Sequence, residues 1–234
     1  LTVVESPSPF GYFSLASLGV APFGCPSNCD DGGFLLNVPG FNFNGTTYTQ
    51  VIWSVNGTVE AGSASGLATS FANQNLPDPT VPNNLIAPFW RDLNLGAGGN
   101  WYVAVLNAGP NQFLVFEWED VPHFGSTDAA SFQIWIQVGA SGNIWYTYGR
   151  MDNAGSEGTV GVEDSVGVLG SSYFYDGAGT APAVGTDLAV VSTAGGTATL
   201  GFQVTTDCSQ PVVNEAEMSN AGDSERAIAV TTCP

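Results

Sequence analysis

Alternation of apolar and polar side chains is the clearest pattern in this chain. It is most regular over residues 132–138, where it predicts a β-strand with two different faces. One face carries Phe132, Ile134, Ile136 and Val138, and the other carries Gln133, Trp135 and Gln137. A second strand, predicted at 143–148, follows a loop short enough for an antiparallel hairpin. The first face suits a core, and the second is a candidate surface.

Short apolar runs separated by Gly, Pro, Asn and Asp continue along the whole chain. They predict strands at 2–5, 12–18, 34–38, 41–43, 46–53, 58–60, 85–90, 112–119, 132–138, 143–148, 159–163, 173–175, 187–192, 197–204, 212–218 and 226–232. No window holds the spacing of an amphipathic helix. The sequence therefore predicts an all-β fold, an antiparallel β-sandwich of the jelly-roll or immunoglobulin-like kind. Residues 1–196 are expected to form the main sandwich, and residues 197–234 to form C-terminal strands that pack on it or continue it.

Four cysteines form two local pairs, Cys25 with Cys29 and Cys208 with Cys233. A disulfide within each pair is one of three possible connectivities, and the second would close the C-terminal strands, a gain of roughly 3 kcal/mol in the loop-entropy model. A zinc site is the alternative, although the spacing does not match a zinc ribbon and the one histidine lies far away in sequence. Disulfides indicate an oxidising compartment, so the chain is expected to be secreted or at a cell surface.

Two Asn-Gly pairs, at Asn44 and Asn56, lie between predicted strands. Asn-Gly is the strongest short signal for a hairpin turn, because both residues tolerate a positive φ. Each pair is followed by Thr, so each asparagine also heads an N-glycosylation sequon. Both interpretations, turn and glycosylation acceptor, stay open for Asn44 and Asn56.

Acidic residues far outnumber basic ones. There are 21 Asp and Glu residues, three Arg and no Lys, and the formal net charge is −18. This charge repels phosphate backbones and anionic lipids, so nucleic acid is excluded as a partner and membrane insertion is not expected. The absence of lysine excludes a Schiff base and a P-loop phosphate anchor.

Candidate catalytic groups are few. His123 has no Gly-x-Ser-x-Gly or other nucleophile motif nearby, so a packing role is favoured over a Ser-His-Asp site. Glu117 and Glu119 lie on one face of a predicted strand, about 7 Å apart. That spacing suits a pair of glycosidase carboxylates only if a cleft forms beside them. The sequence predicts that the chain is not an enzyme.

Oxygen ligands for a hard cation are more plentiful. The candidates are Asp30 and Asp31 beside Gly32, or Asp92 with Asn94 after a predicted strand. Carboxylates are preferred ligands of Ca²⁺, and the strong negative charge favours a bound cation. No EF-hand spacing is present, and a solvated acidic turn is the alternative. Calcium is the one cofactor for which the sequence offers candidate ligands.

Trp135 and Trp145 are predicted to lie on the sheet face that points away from the core. Gln133 and Gln137 share that face. Tryptophan beside glutamine on an exposed face could bind a sugar ring or a polypeptide. The alternative is that these side chains form a second packing layer or lie under a loop.

Several short motifs, taken together, resemble a β-sandwich module of large secreted bacterial proteins, notably subtilisin-like serine proteases. The motifs are Gly-Tyr-Phe-Ser-Leu at 11–15, Cys-Pro-Ser-Asn-Cys-Asp-Asp-Gly-Gly-Phe at 25–34, Phe-Asn-Gly-Thr-Thr-Tyr at 43–48, Ser-Val-Asn-Gly at 54–57, Asn-Leu-Ile-Ala-Pro-Phe-Trp-Arg-Asp-Leu at 84–93 and Phe-Glu-Trp-Glu-Asp-Val-Pro at 116–122. The likeness spans residues 10–190, and residues 197–232 resemble the closing strands of immunoglobulin-like repeats. It implies an accessory, non-catalytic domain, because the sequence has none of the Asp-Ser/Thr-Gly, His-Gly-Thr and Gly-Thr-Ser-Met-Ala segments of a subtilisin-like catalytic domain.

Three functional hypotheses follow. The leading one is a non-catalytic extracellular module that binds or positions within a larger secreted protease or cell-surface protein, whose other domains are its partners. The second is a self-assembling subunit of a surface filament or layer, in which residues 2–5 are donated as a strand to another copy. The third is a carbohydrate-binding module that uses Trp135 and Trp145. Polysaccharide, polypeptide and further copies of the chain are the partners these hypotheses expect.

Overall fold

The computed structural model describes residues 1–25, 28–63, 70–192, 212–220 and 223–231, the last two ranges by their backbone alone. The chain divides into two compact units, Leu1–Gly195 and Gly196–Pro234. In the described ranges the first unit holds two antiparallel sheets and the second holds a hairpin. The prediction of an all-β, antiparallel sandwich is confirmed.

The strands follow the alternation of the sequence closely. In chain order they are β1 (Thr2–Glu5), β2 (Gly33–Phe43), β3 (Thr46–Ser54), β4 (Val59–Ala61), β5 (Leu85–Trp90), β6 (Asn100–Ala108), β7 (Asn111–Pro122), β8 (Ala129–Gln137), β9 (Ile144–Met151), β10 (Thr159–Glu163), β11 (Gly170–Tyr175), β12 (Ala178–Gly179), β13 (Asp187–Val191), β14 (Val212–Asn220) and β15 (Asp223–Thr231). Two short 3₁₀ segments, Leu15–Leu18 and Leu95–Ala97, are the helical elements of the described residues.

One sheet has six strands, in the order β1-β13-β9-β8-β7-β6. The predicted hairpin of β8 and β9 lies at its centre, with Trp135 directly opposite Trp145. β1 is an edge strand, and it pairs residue for residue with β13 of its own chain, Thr2 opposite Val191. The predicted donation of residues 2–5 to another copy is therefore not the arrangement in this structure.

The other sheet has seven strands, in the order β12-β11-β10-β5-β4-β3-β2. Both Asn-Gly pairs form the predicted turns: Asn44-Gly45 joins β2 to β3, and Asn56-Gly57 joins β3 to β4. Gly45 and Gly57 have φ angles of +80° and +79°. Glycine adopts this conformation without the steric cost that a Cβ would add.

Aromatic side chains from both sheets fill the space between them. Trp53 stacks on Trp101 with ring centroids 4.1 Å apart, and Trp118 stacks on Phe132 at 4.8 Å. All four rings are buried. Offset stacking of this kind adds about 0.5–1.5 kcal/mol per pair to the gain from burial alone. The apolar face of β8 that the alternation predicted therefore lies in the core.

Three predicted elements differ from the structure. Residues 12–18 do not form a strand: they cross the outer face of the six-stranded sheet and end in the 3₁₀ segment. Pro39 does not end β2, because the register shifts between Asn37 and Phe41 and the proline lies in this bulge, where its missing N–H costs no ladder bond. The edge strand β6 was not predicted.

The second unit contains β14 and β15, which pair antiparallel from Val212 opposite Thr231 to Asn220 opposite Asp223. This agrees with the two strands predicted at 212–218 and 226–232. The strand predicted at 197–204 lies outside the described residues, as do Cys208 and Cys233. The division at residue 196, the packing of the C-terminal strands and the second disulfide stay predictions.

Candidate functional site

The three aspartates predicted as calcium ligands lie together. Asp30 and Asp31 occupy the turn between the Cys25–Cys29 disulfide and β2, and Asp92 follows β5. One carboxylate oxygen from each lies within 4.8 Å of the other two. Two oxygens that bind one Ca²⁺ at 2.3–2.6 Å can be no more than about 5 Å apart, so this spacing fits a shared cation.

A buried asparagine links Asp31 to the residue that follows Asp92. Asn56 Nδ2 donates a hydrogen bond to Asp31 Oδ1 at 3.0 Å, and Asn56 Oδ1 accepts the Leu93 N–H at 2.8 Å. A backbone hydrogen bond joins the same two segments, because the Gly96 N–H donates to the Cys29 carbonyl at 3.1 Å. The aspartates from distant parts of the sequence are thus held together without a cation.

The electrostatics of this acidic cluster favour a positive ion. Burial and the charges of Asp31 and Asp30 raise the pKa of Asp92 to about 6. Burial and the charge of Asp31 also raise the pKa of Asp30, whose buried Oδ1 has no hydrogen-bond partner in the described residues. A divalent cation would supply the missing partner and remove the repulsion between the carboxylates.

Trp135 is not exposed, contrary to the prediction of a binding face. Its side chain is 1% exposed, because Phe10 stacks on it at 4.6 Å and Phe13 packs against it at 5.3 Å. Gln133 is also buried, donating through Nε2 to the Phe13 carbonyl at 2.6 Å. The expected platform is therefore a packing layer at Trp135, because residues 10–20, here called the N-terminal cover, lie across it.

Trp145 and Gln137 remain partly exposed on the same face. Both polar atoms of the Gln137 amide are hydrogen-bonded to neighbouring side chains: Nε2 donates to Asn111, and Oε1 accepts from Asn143 at 2.8 Å. Trp145 lines a cleft of about 530 Å³ together with uncharged polar residues, including Asn42 and Asn143. The asparagines were not predicted, because their turns are separated by about a hundred residues of sequence.

Glu117 is fully buried and holds the N-terminal cover. Its Oε2 accepts the Leu15 N–H at 2.8 Å, and its Oε1 accepts from Gln133 Nε2 at 3.0 Å. Burial raises the pKa of Glu117 to about 7, although these hydrogen bonds and one from Tyr12 oppose the rise. The carboxylate is occupied by its own chain, and Glu119, its candidate partner in catalysis, is only partly buried.

His123 is buried beside Phe89, with ring centroids 5.9 Å apart. Neither ring nitrogen has a hydrogen-bond partner in the described residues. Burial, and then the charge of Arg91, lower its pKa to about 4. The ring is therefore neutral near pH 7. In the described residues it has neither hydrogen bond of a catalytic triad, the one to an acid that orients the ring and the one to a nucleophile.

The first predicted disulfide is present, between Cys25 and Cys29. Both thiols are used in this bond, so these cysteines do not form the zinc site that was the alternative. The two sequons differ: Asn44 is partly exposed in its turn, whereas Asn56 is buried and bonded to Asp31. Asn44 is therefore the more accessible of the two in the folded chain, and glycosylation of either asparagine stays a prediction.

Fold and site together define an antiparallel β-sandwich module with a local disulfide. Residues 36–208 match the model of the family described as NIDO related, which is more than half of the sequence. The chain belongs to the NIDO-related family, an extracellular domain family without catalytic function. No curated protein and no solved structure matches it. Among the described residues, no helix has both the length and the apolar character needed to span a bilayer.

Proposed function

We propose that the chain is a recognition module that binds or positions within a larger extracellular protein. The observation that carries this proposal is that both candidate catalytic side chains make structural contacts within their own chain. Glu117 is bonded to the N-terminal cover, and His123 is packed against Phe89. The cleft beside Trp145, by contrast, is open and lined by side chains suited to binding.

The parent protein favoured by the sequence motifs is a secreted subtilisin-like protease with this module downstream of its catalytic domain. The neighbouring coding sequence tests this directly: a catalytic domain with its Asp, His and Ser motifs is expected upstream. A coding region that specifies no further extracellular domain would overturn the attachment to a larger protein.

The role in positioning has a separate test in the parent protein. Deleting residues 1–234 is expected to leave the rate of cleavage of a small soluble substrate unchanged, because the module supplies no catalytic group. The same deletion is expected to reduce binding of the parent to its insoluble or cell-surface substrate. An equal loss of both would contradict positioning, since it would indicate that the module stabilises the catalytic domain.

We also propose that the acidic cluster of Asp30, Asp31 and Asp92 binds Ca²⁺ and stabilises the module. The observation that favours it is the convergence of three carboxylates around the buried, unpartnered Oδ1 of Asp30. The cation would link the turn before β2 to the segment after β5. Its role would be structural, because it would join two segments that are distant in the sequence.

A further inference from the structure

The geometry of the cleft beside Trp145 points to a site for neutral glycans. The cleft, of about 530 Å³, lies where the turns β2–β3 and β8–β9 meet the outer face of β9 and β13. Its volume falls within the range of small-molecule sites, about 300–1,000 Å³. This inference rests on the proposed recognition function and assigns its ligand class.

Trp145 is the one tryptophan that a ligand can reach. All six tryptophans lie in the described residues, and the other five are buried, with at most 1% of their surface exposed. Trp145 is partly exposed, and its partner across the strand pair is the small residue Ala189. Both residues line the cleft. A flat apolar ring beside a small side chain leaves room for the apolar face of a pyranose.

Carboxamide groups line the same cleft. Asn42 Oδ1 accepts the Gly45 N–H at 3.2 Å, and none of the hydrogen bonds described uses its NH₂ group. Asn143 Nδ2 donates to Gln137 Oε1 at 2.8 Å, which leaves Asn143 Oδ1 as an acceptor. Donors and acceptors of this kind pair with sugar hydroxyl groups, which both donate and accept.

The described walls of the cleft carry no charge, although the protein is strongly charged. The chain has 24 charged side chains, yet no acidic or basic residue is among the described residues that line the cleft. An anionic ligand would meet the net charge of −18 without a local cation to offset it. A cationic ligand would find no carboxylate in the cleft. A neutral, hydroxyl-rich ligand fits these walls best.

The walls are held in place before any ligand binds. The Asn42 N–H donates to the Gly139 carbonyl at 3.0 Å, and the Gly139 N–H donates to the Gly40 carbonyl at 2.8 Å. These bonds join the β2–β3 hairpin of one sheet to the β8–β9 hairpin of the other. A Cβ on Gly142 would lie 3.3 Å from Asn42 Oδ1, so the turns are in close contact. A preformed site loses little conformational entropy on binding.

The test is a titration of the purified chain, made in a host that does not glycosylate asparagine, so that no glycan on Asn44 enters the cleft. The probes are neutral hexasaccharides of glucose, mannose and N-acetylglucosamine, with a sulfated oligosaccharide and a proline-rich peptide for contrast. At least one neutral hexasaccharide is expected to change the tryptophan fluorescence saturably. The sulfated oligosaccharide and the peptide are expected to cause no such change.

Substitutions locate the binding. Trp145→Ala is expected to weaken it about tenfold or more, Asn143→Ala less, and Trp145→Phe least, because Phe keeps an apolar ring. Phe124→Ala is the control, since Phe124 is 56% exposed and lies outside the cleft. Calorimetry replaces fluorescence for the Trp145 variants, and thermal melts confirm that each variant is folded.

The inference is overturned if no neutral hexasaccharide binds, if Trp145→Ala leaves the affinity unchanged, or if the peptide alone binds. Such results would leave the recognition function standing with another ligand. Failure of the recognition function itself looks different, because it would appear as turnover of a probe rather than reversible binding.

Discussion

Asn56 shows at the residue scale how one side chain can serve several contacts at once. It sits in an Asn-Gly turn, is fully buried, and bridges Asp31 to the Leu93 N–H. The sequence predicts the turn, because Asn-Gly is a local signal. It does not predict the bridge, because residues 31, 56 and 93 meet only once β3 and β5 are placed in one sheet. The three aspartates themselves could be chosen from charge and turn composition alone.

Replacing Asp92 tests the cation at the same scale. Without Ca²⁺, Asp92→Asn is expected to raise the melting temperature near pH 8, because it removes a charge whose pKa is raised to about 6. With Ca²⁺ at 100 times its Kd, the free energy of unfolding of the wild-type chain is expected to rise by about 2.7 kcal/mol. Each kcal/mol is expected to raise the melting temperature by roughly 2–4 °C. The variant is expected to lose that gain. Thermal melts with chelator and with Ca²⁺ measure both effects.

The control for that experiment is Asp128→Asn, a carboxylate outside the acidic cluster. It is expected to keep the full response to Ca²⁺. A wild-type melting temperature that does not respond to Ca²⁺ would count against the site, as would an equal loss of response in both variants.

Buried carboxylates give the stability of the first unit a definite pH dependence. Burial raises the pKa of Glu117 and of Glu163 from 4.5 to about 7. Between these values the folded chain holds protons that the unfolded chain has released, so the free energy of unfolding falls as the pH rises. The melting temperature is therefore expected to be higher at pH 5 than at pH 8.

The variant Glu163→Gln isolates the contribution of one buried carboxylate to this pH dependence. Glu163 is fully buried, and its Oε1 has no hydrogen-bond partner in the described residues, while Oε2 accepts the Asp78 N–H at 2.9 Å. The variant is expected to melt at a higher temperature than the wild type at pH 8 and to show a smaller drop from pH 5 to pH 8. Glu5→Gln, at an exposed site, is expected to keep the full drop. A wild-type melting temperature that rises with pH would contradict this account.

At the scale of elements, the two Asn-Gly turns provide a matched pair. Gly45 and Gly57 have nearly the same φ, but a Cβ on Gly45 would meet nothing within 4 Å, whereas one on Gly57 would overlap the Phe89 carbonyl oxygen. Gly45→Ala is expected to cost about 1 kcal/mol through φ strain alone. Gly57→Ala is expected to cost several times as much, measured by urea denaturation. Equal costs would show that the turn at Asn56 does not pack against β5 as described.

The N-terminal cover makes its own prediction. Phe10→Ala and Phe13→Ala together are expected to uncover Trp135, shift the tryptophan emission to the red and cost about 1–3 kcal/mol, less than two fully buried phenylalanines would. Phe124→Ala, at an exposed position, is expected to change neither quantity. An unshifted emission spectrum in the double variant would mean that the cover does not shield Trp135.

The cover also explains where prediction from sequence stops. The alternation over 132–138 correctly assigns Phe132 to one face and Trp135 to the other. It does not show that residues 10–20 return to cover the second face, because that contact joins Phe10 to Trp135 across more than a hundred residues. Periodicity reports which residues share a face, whereas burial depends on what packs against that face. For the same reason it could not show that Trp145 is the one tryptophan that stays accessible.

At the scale of the whole molecule, membership of the NIDO-related family agrees with the character that composition and cysteines predicted for the chain. The local disulfide is typical of proteins in an oxidising, extracellular environment. Glu117 and His123 make structural contacts, and no charged side chain is among the described residues that line the open cleft. The central claim is that this module recognises and does not catalyse.

The most direct measurement of that claim is a hydrolysis assay of the purified chain on polysaccharides, peptides and esters, with Glu117→Gln and His123→Asn alongside. The account predicts no turnover above the level of buffer for any of the three proteins. Turnover by the wild-type chain that a folded Glu117→Gln or His123→Asn variant lacks would contradict it.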